Sequence, residues 1–131
     1  MLKVYALRIH PGEDLKLSIL DFTRKENIEA GILLSCVGSL SSAKLRMADA
    51  NIVKEFNNKF EIVVLTGTLC MEGLHLHIAL SDENGNMIGG HLLDGCVVYT
   101  TAEIVIGSIE NTVFRRKYDG STGFAELEIE N

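Results

Sequence analysis

The segment from residue 74 to residue 92 constrains the fold more than any other part of the sequence. Every second residue from 74 to 80 is leucine or isoleucine, which is the period of a β-strand with one buried face. The run Asp82-Glu83-Asn84-Gly85-Asn86 follows, and it suits a three-residue hairpin loop in which Gly85 adopts the left-handed conformation. The segment is therefore predicted to form a β-hairpin.

The length of the loop sets the register of this hairpin. A three-residue loop pairs Asp82 with Asn86, sets apolar residues against apolar residues or glycine, and places His77 opposite His91. A two-residue loop would set the histidine side of one strand against the leucine side of the other, and such a slip is disfavoured where one face is buried. Because His75 and His77 are two residues apart on one strand, they share a face. The favoured register therefore gathers three histidines.

Three imidazoles in this arrangement predict a metal site at His75, His77 and His91. Opposed residues have Cβ atoms ~4.5–5.5 Å apart, so their rings can reach one ion at Zn–N distances of ~2.0–2.1 Å. Imidazole suits zinc or another divalent transition metal better than magnesium or calcium. Three protein ligands also leave a coordination position open, as in catalytic zinc sites. The alternative is a His-x-His pair that only solvates an exposed strand.

The rest of the sequence predicts an α+β protein with an antiparallel-rich sheet and one main amphipathic helix. The helix is expected from Leu15 to about Asn27, after the acidic pair Glu13-Asp14, with Leu15, Ile19, Leu20 and Phe22 on its apolar face. Strands are expected at residues 2–9, 32–37, 43–47, 60–69, 74–80, 87–93, 97–106 and 124–129.

Length, charge and cysteine content narrow the class of protein. The chain has 131 residues, which predicts a single domain over 1–131. It carries 12 basic and 18 acidic residues, a net charge of −6, and an acidic surface repels nucleic-acid phosphate. The three cysteines are an odd number and lie in apolar or glycine-containing stretches, which argues against a disulfide scaffold. A cytoplasmic location is therefore expected. The sequence shows neither a membrane-span pattern nor a signal-peptide pattern, so no membrane partner is expected.

Several motifs together resemble the plants-and-prokaryotes-conserved (PPC) domain, in its stand-alone prokaryotic form. They are His75-Leu-His-Ile-Ala-Leu-Ser-Asp, the run from Gly89-Gly-His to Ala-Glu103, Gly38-Ser-Leu, and Lys59-Phe-Glu-Ile. The resemblance implies a homotrimer of α+β protomers and a DNA-binding or regulatory role, as in plant proteins where the domain follows AT-hooks. This sequence has no Arg-Gly-Arg-Pro AT-hook core, and its main basic run is only Arg115-Arg116-Lys117. We therefore do not expect direct DNA binding.

The histidine motif is also similar, more locally, to that of acetolactate decarboxylase, which binds a catalytic zinc through three histidines. This similarity implies an alternative function as a metal-dependent enzyme of the decarboxylase or lyase type, acting on a small oxo- or hydroxy-acid. Arg46 and Glu103 are the candidate catalytic residues, because they are charged residues in otherwise apolar strands. Arg46, or an arginine of a neighbouring subunit, could clamp an anionic substrate. The ordinary interpretation of both residues is a solvated or paired structural charge.

Self-association has support of its own in the sequence. The segment 60–69 is almost unbroken in its apolar character and is expected to be buried on both faces. One helix can cover only part of a sheet of this size. Contact between subunits is therefore expected to cover the remainder.

Overall fold

The computed structural model describes all residues from 1 to 131 and contains one helix and nine strands. The elements in chain order are β1 (Leu2–Ile9), α1 (Leu15–Lys25), β2 (Gly31–Arg46), β3 (Val53–Phe56), β4 (Phe60–Cys70), β5 (Gly73–Ser81), β6 (Met87–Leu92), β7 (Val97–Ile109), β8 (Val113–Tyr118) and β9 (Ala125–Glu130).

Seven strands form one antiparallel sheet in the order β1-β7-β2-β4-β5-β6, with β3 paired to β2. Strand β6 also returns to β2, where Leu45 pairs with Leu92 and Arg46 pairs with His91. Strands β2, β4, β5 and β6 therefore form a closed ring, which leaves fewer free strand edges. The predicted α+β class, an antiparallel sheet with one helix, is confirmed.

Helix α1 begins at Leu15, directly after the acidic pair Glu13-Asp14, as predicted. Asp14 is the N-cap, and its Oδ1 accepts a hydrogen bond from the Leu17 amide at 3.0 Å. Leu15 and Ile19 are fully buried as expected, but the third fully buried residue is Thr23, whose hydroxyl donates to the Ile19 carbonyl at 2.8 Å. The helix thus buries a polar side chain without leaving its hydroxyl unpaired.

The prediction of two separate strands in the region of β2 was wrong. Residues 32–37 and 43–47 were predicted to be separate strands divided by Gly38-Ser39, but residues 31–46 form one strand of 16 residues. A Cβ on Gly38 would lie 2.1 Å from the Thr101 carbonyl oxygen of β7. Gly38 therefore permits a close approach between two strands and does not end one of them.

The main core lies where the buried face of the sheet packs against the buried face of α1. It contains buried leucine and isoleucine residues from β2, β4, β5 and β7, together with Leu15 and Ile19 of the helix. Strand β4 is buried on one face only within the chain, since Val63 and Val64 are 53% and 48% exposed. A single chain therefore does not supply the two-sided burial that was expected for this strand.

Strands β8 and β9 form a separate two-stranded sheet at the end of the chain, which we call the C-terminal hairpin (residues 113–130). Phe114 anchors it through a small apolar cluster with Ala30 and Cys70. Neither β3 nor β8 was predicted, because their charged residues obscure the apolar alternation. The one helix of the structure is not long and apolar enough to cross a membrane.

Gly38→Ala is expected to destabilise the protein by about 1–3 kcal/mol, because the new methyl group would force β2 and β7 apart. Urea unfolding at one fixed protein concentration measures the change. Ser35→Ala, at an exposed position on the same strand, is the matched control. Equal unfolding midpoints for the two variants would contradict the assigned role of Gly38.

Candidate metal centre

The loop between β5 and β6 has the predicted three-residue geometry. Asp82 and Asn86 close it through a backbone hydrogen bond of 2.9 Å, and Gly85 has a positive φ of 82°. The Asp82 carboxylate accepts hydrogen bonds from the amides of Asn84 and Asn86, each at 2.9 Å. The resulting register pairs His77 with His91, so the prediction for this hairpin is confirmed.

The three histidines converge on one side of the hairpin, while Leu76, Ile78 and Leu80 of β5 are buried on the other side. One ring nitrogen from each histidine lies within 4.8 Å of the other two. The Nε2 atoms of His75 and His77 are 3.2 Å apart. The ring centroids are separated by 5.0 to 5.7 Å. The side chains therefore present three ligand atoms to a common point.

Two glycines let neighbouring strands approach the histidines closely. Gly67 of β4 has φ +148°, and a Cβ there would lie 1.9 Å from the His75 carbonyl oxygen. Gly90, next to His91, admits the carbonyl of Arg46, which would be 2.8 Å from an added Cβ. The space beside Gly90 is therefore occupied by the backbone of β2.

Burial and positive neighbours lower the pKa of two of the imidazoles, those of His75 and His91, and so favour their neutral form. Burial, followed by the charge of Arg46, lowers the pKa of His91 to about 4. Burial also lowers the pKa of His75, with further contributions from His77 and Arg116, while Glu126 opposes the shift. The Nδ1 atom of His91 is buried and has no hydrogen-bond partner in the protein. Neutral rings with free lone pairs are the form that binds a metal ion.

The structure brings Arg46 to the histidines but not Glu103. Arg46 pairs with His91 across β2 and β6, and its guanidinium carbon lies 4.6 Å from the centroid of the Phe124 ring. Glu103 lies on β7 opposite Arg8 and Val37, accepts a hydrogen bond of 3.4 Å from the Thr101 hydroxyl, and lines none of the cavities around the histidines.

Arg116 is a site residue that the sequence analysis missed. Its Nη2 donates a 2.7 Å hydrogen bond to the Thr68 hydroxyl, and its Nε is buried without an acceptor. The neighbouring Arg115 and Lys117 pair instead with Glu130 and Glu128 of β9 at 3.4 and 3.6 Å. The alternation of a strand thus turns one member of the basic run towards the histidines and two towards carboxylates.

Two cavities border the cluster. A cavity of about 500 Å³ is lined by His77, His91, Arg46 and small or apolar residues of the adjoining strands and of the loop between β2 and β3. A second cavity, of about 270 Å³, lies between the histidines and the C-terminal hairpin and is lined by Arg46, Leu74, His75, His91, Arg116, Phe124, Ala125 and Glu126. The site can therefore hold a small molecule beside a metal ion.

Residues 1–110 match the model of the Plants and Prokaryotes Conserved (PCC) domain, so the chain belongs to this family, the same one as the PPC domain. The resemblance inferred from the histidine and glycine motifs is confirmed. The C-terminal hairpin lies outside the matched residues.

Two relatives are longer proteins that contain a segment similar to this chain. The chain is 47% identical over 129 residues to the bifunctional protein GlmU of a Synechococcus strain, covering 98% of this chain and 21% of that protein. It is 23% identical over 113 residues to the AT-hook motif nuclear-localized protein 8 of Arabidopsis thaliana, covering 79% of this chain and 29% of that protein. The chain thus spans about a fifth of the length of the first relative.

Solved structures share the whole fold. A hypothetical protein from Salmonella superposes with a TM-score of 0.95 at 37% identity, covering 100% of this chain and 95% of that one. A protein from Archaeoglobus fulgidus, described as metal-containing, superposes with a TM-score of 0.85 at 27% identity, covering 96% of this chain and 93% of that one.

Acid is expected to destabilise the metal-free protein through His91. Its pKa is about 4 in the folded chain against an ordinary value of 6.5, so between these values the unfolded chain binds a proton that the folded chain does not. The contribution of His91 to stability is therefore complete above pH 6.5 and is lost as the pH falls towards 4.

Urea midpoints between pH 6.5 and pH 5.5, a range within the window set by His91, measure this effect. We expect His91→Gln to show a weaker pH dependence than the wild type. His10→Gln, at an exposed position after β1, should retain the wild-type slope. Identical slopes in all three proteins would exclude His91 as the source.

Proposed function

We propose that this protein binds a divalent transition metal, zinc in the first instance, through His75, His77 and His91. The observation that carries the proposal is the convergence of three ring nitrogens within 4.8 Å of one another. We further propose that residues 1–131 act as one domain of the family, and that the three free thiols reflect a reducing, cytoplasmic setting.

The distances support a fit to zinc. Two imidazole nitrogens bound tetrahedrally at ~2.0–2.1 Å from zinc are about 3.3 Å apart, and the Nε2 atoms of His75 and His77 lie 3.2 Å apart. The unpartnered Nδ1 of His91 shows that this ring is buried without its full set of hydrogen bonds. The metal-containing relative from Archaeoglobus fulgidus adds independent support.

A second candidate function is a metal-dependent enzyme acting on a small oxo- or hydroxy-acid. The cavities of about 500 and 270 Å³ beside the histidines favour it, since both are lined by Arg46. A bound zinc would supply Lewis acidity, while Arg46 would orient an anionic substrate. Turnover of an acetolactate-type substrate by the metal-loaded protein separates catalysis from binding alone.

A regulatory or DNA-associated role is suggested by the AT-hook relative, but direct contact with DNA lacks a suitable surface. Arg115 and Lys117 are paired with carboxylates of β9, and Arg116 points to the histidine cluster. The only notable basic run is therefore unavailable as a phosphate-binding stripe in a chain of net charge −6. We infer that any such role works through protein or small-molecule partners.

We also propose that the protein is a homotrimer. The outward valines of β2 and β4, namely Val37, Val63 and Val64, are 56%, 53% and 48% exposed and form what we call the valine face. Val37 and Val63 lie on neighbouring strands, next to the paired residues Gly38 and Ile62. A contiguous apolar patch on a sheet is typical of a subunit interface.

Removing one histidine is expected to prevent stoichiometric metal binding. After stripping with a chelator and reloading with one equivalent of zinc, the wild type should retain about one zinc per chain by elemental analysis. His77→Gln and His91→Gln should bind zinc at least about 100-fold more weakly, because a direct ligand is lost. His10→Gln is the control, and a wild type without stoichiometric metal would contradict the proposal.

Light scattering tests the trimer. Three copies of the 14.4 kDa chain correspond to about 43 kDa. Val63→Asp places a charge in the valine face and is expected to shift the mass to that of a single chain, whereas Leu17→Gln, on the exposed side of α1, should not. A wild-type mass of 14.4 kDa at micromolar concentration would exclude the trimer.

A further inference from the structure

Two arginines face the histidine cluster, and neither guanidinium group has a carboxylate partner. Arg46 and Arg116 both line the cavity of about 270 Å³ together with His75 and His91. None of the five ion pairs of the chain includes either arginine. In a protein with six more acidic than basic residues, this local excess of positive charge needs an explanation.

The Arg116 side chain is held in place by one hydrogen bond, and its Nε–H has no acceptor. Its Nη2 is fixed by the Thr68 hydroxyl at 2.7 Å, while its buried Nε has no acceptor. A guanidinium has five N–H donors, and a buried donor without a partner is costly. The group is therefore positioned for an acceptor that the protein itself does not provide.

Arg46 is positioned by a cation–π contact and has no ion pair. Its guanidinium carbon lies 4.6 Å from the centroid of the Phe124 ring. A guanidinium in such a contact can still donate two parallel hydrogen bonds to a carboxylate. The two arginines come from different sheets, β2 and the C-terminal hairpin, and meet at the same cavity.

The charges in this cavity do not balance once a metal is bound. Glu126 is the only carboxylate that lines it. A divalent ion together with two arginines and Glu126 would leave three positive charges in a partly buried space, where uncompensated charge is unfavourable. An anion would offset part of this charge, and a monocarboxylate would reduce it from three to two.

We propose that this cavity binds a small carboxylate, held by Arg46 and Arg116 beside the metal ion. The inference rests on the proposed metal site and names the ligand that accompanies the metal. The cavity volume of about 270 Å³ lies below the range typical of sites for drug-sized ligands, so the ligand is a small acid. A planar carboxylate matches the fork of a guanidinium better than a monatomic anion does.

Half of the residues that line this cavity, including Arg116, lie outside the part of the chain that matches the family, whereas Arg46 lies inside it. The matched residues end at 110, whereas Arg116, Phe124 and Glu126 belong to the C-terminal hairpin or the turn within it. The histidines are within the matched region. The metal site thus lies within the matched region, whereas the anion contacts come from both parts of the chain, Arg46 from β2 and Arg116 from the C-terminal hairpin.

Isothermal titration calorimetry of the zinc-loaded protein with pyruvate is the test, with zinc content measured in every sample. Arg116→Gln and Arg46→Gln are each expected to weaken pyruvate binding about 10- to 100-fold, as for loss of hydrogen bonds to a charged group. Arg115→Gln is the matched control, since it removes the same charge from the adjacent, outward-facing position, and should change affinity less than about twofold. Arg116→Lys, which keeps the charge but loses the fork, should give an intermediate affinity.

The outcomes separate this inference from the metal site. Full zinc content with pyruvate affinity unchanged in both Arg116→Gln and Arg46→Gln would overturn the carboxylate site and leave the metal proposal standing. Inorganic phosphate binding more tightly than pyruvate would overturn the choice of carboxylate. A wild type without zinc would overturn the metal proposal and this inference together. Should Arg116→Gln fail to fold, Arg46→Gln and Arg116→Lys still decide the result.

Discussion

Strand alternation in the β5–β6 hairpin is the constraint on which the histidine cluster depends. The side chains of Leu76, Ile78 and Leu80 must be buried, and this requirement fixes which face carries His75 and His77. The three-residue loop then sets His91 opposite His77. A slip of one residue would expose the apolar face and separate the imidazoles, so the energy that folds the core also assembles the site.

Much of this arrangement could be predicted from local sequence patterns. The register of the hairpin and the start of the helix at Asp14 follow from loop length, alternation and capping, all of which act over a few residues. The continuity of β2 could not be predicted in this way. Gly38 looks like a strand end in sequence, and only the approach of the Thr101 carbonyl shows why glycine is needed there.

The role of Arg116 at the histidine site was not predicted, for a different reason. The run of three basic residues was considered only for its charge, as a possible contact with DNA, and the alternation of side chains within it was not considered. The signal was present in the partner strand, where Glu126, Glu128 and Glu130 recur at every second position and two of them pair with Arg115 and Lys117. Recognition of that complementary pattern would have paired the strands and turned Arg116 to the opposite face. The position of Arg46 beside His91 depends on the closure of β6 onto β2, a contact between distant segments that no local pattern encodes.

The separation of the C-terminal hairpin from the main sheet has a consequence for how such proteins diversify. The hairpin has its own hydrogen-bonded pairing and reaches the body of the protein through the Phe114 cluster, while the main core is built from other elements. Substitutions on its inward face can therefore alter the wall of the cavity without disturbing the packing that holds the histidines. Related proteins could therefore differ in the small molecule they bind through changes in this hairpin alone, while the main hydrophobic cluster stays the same.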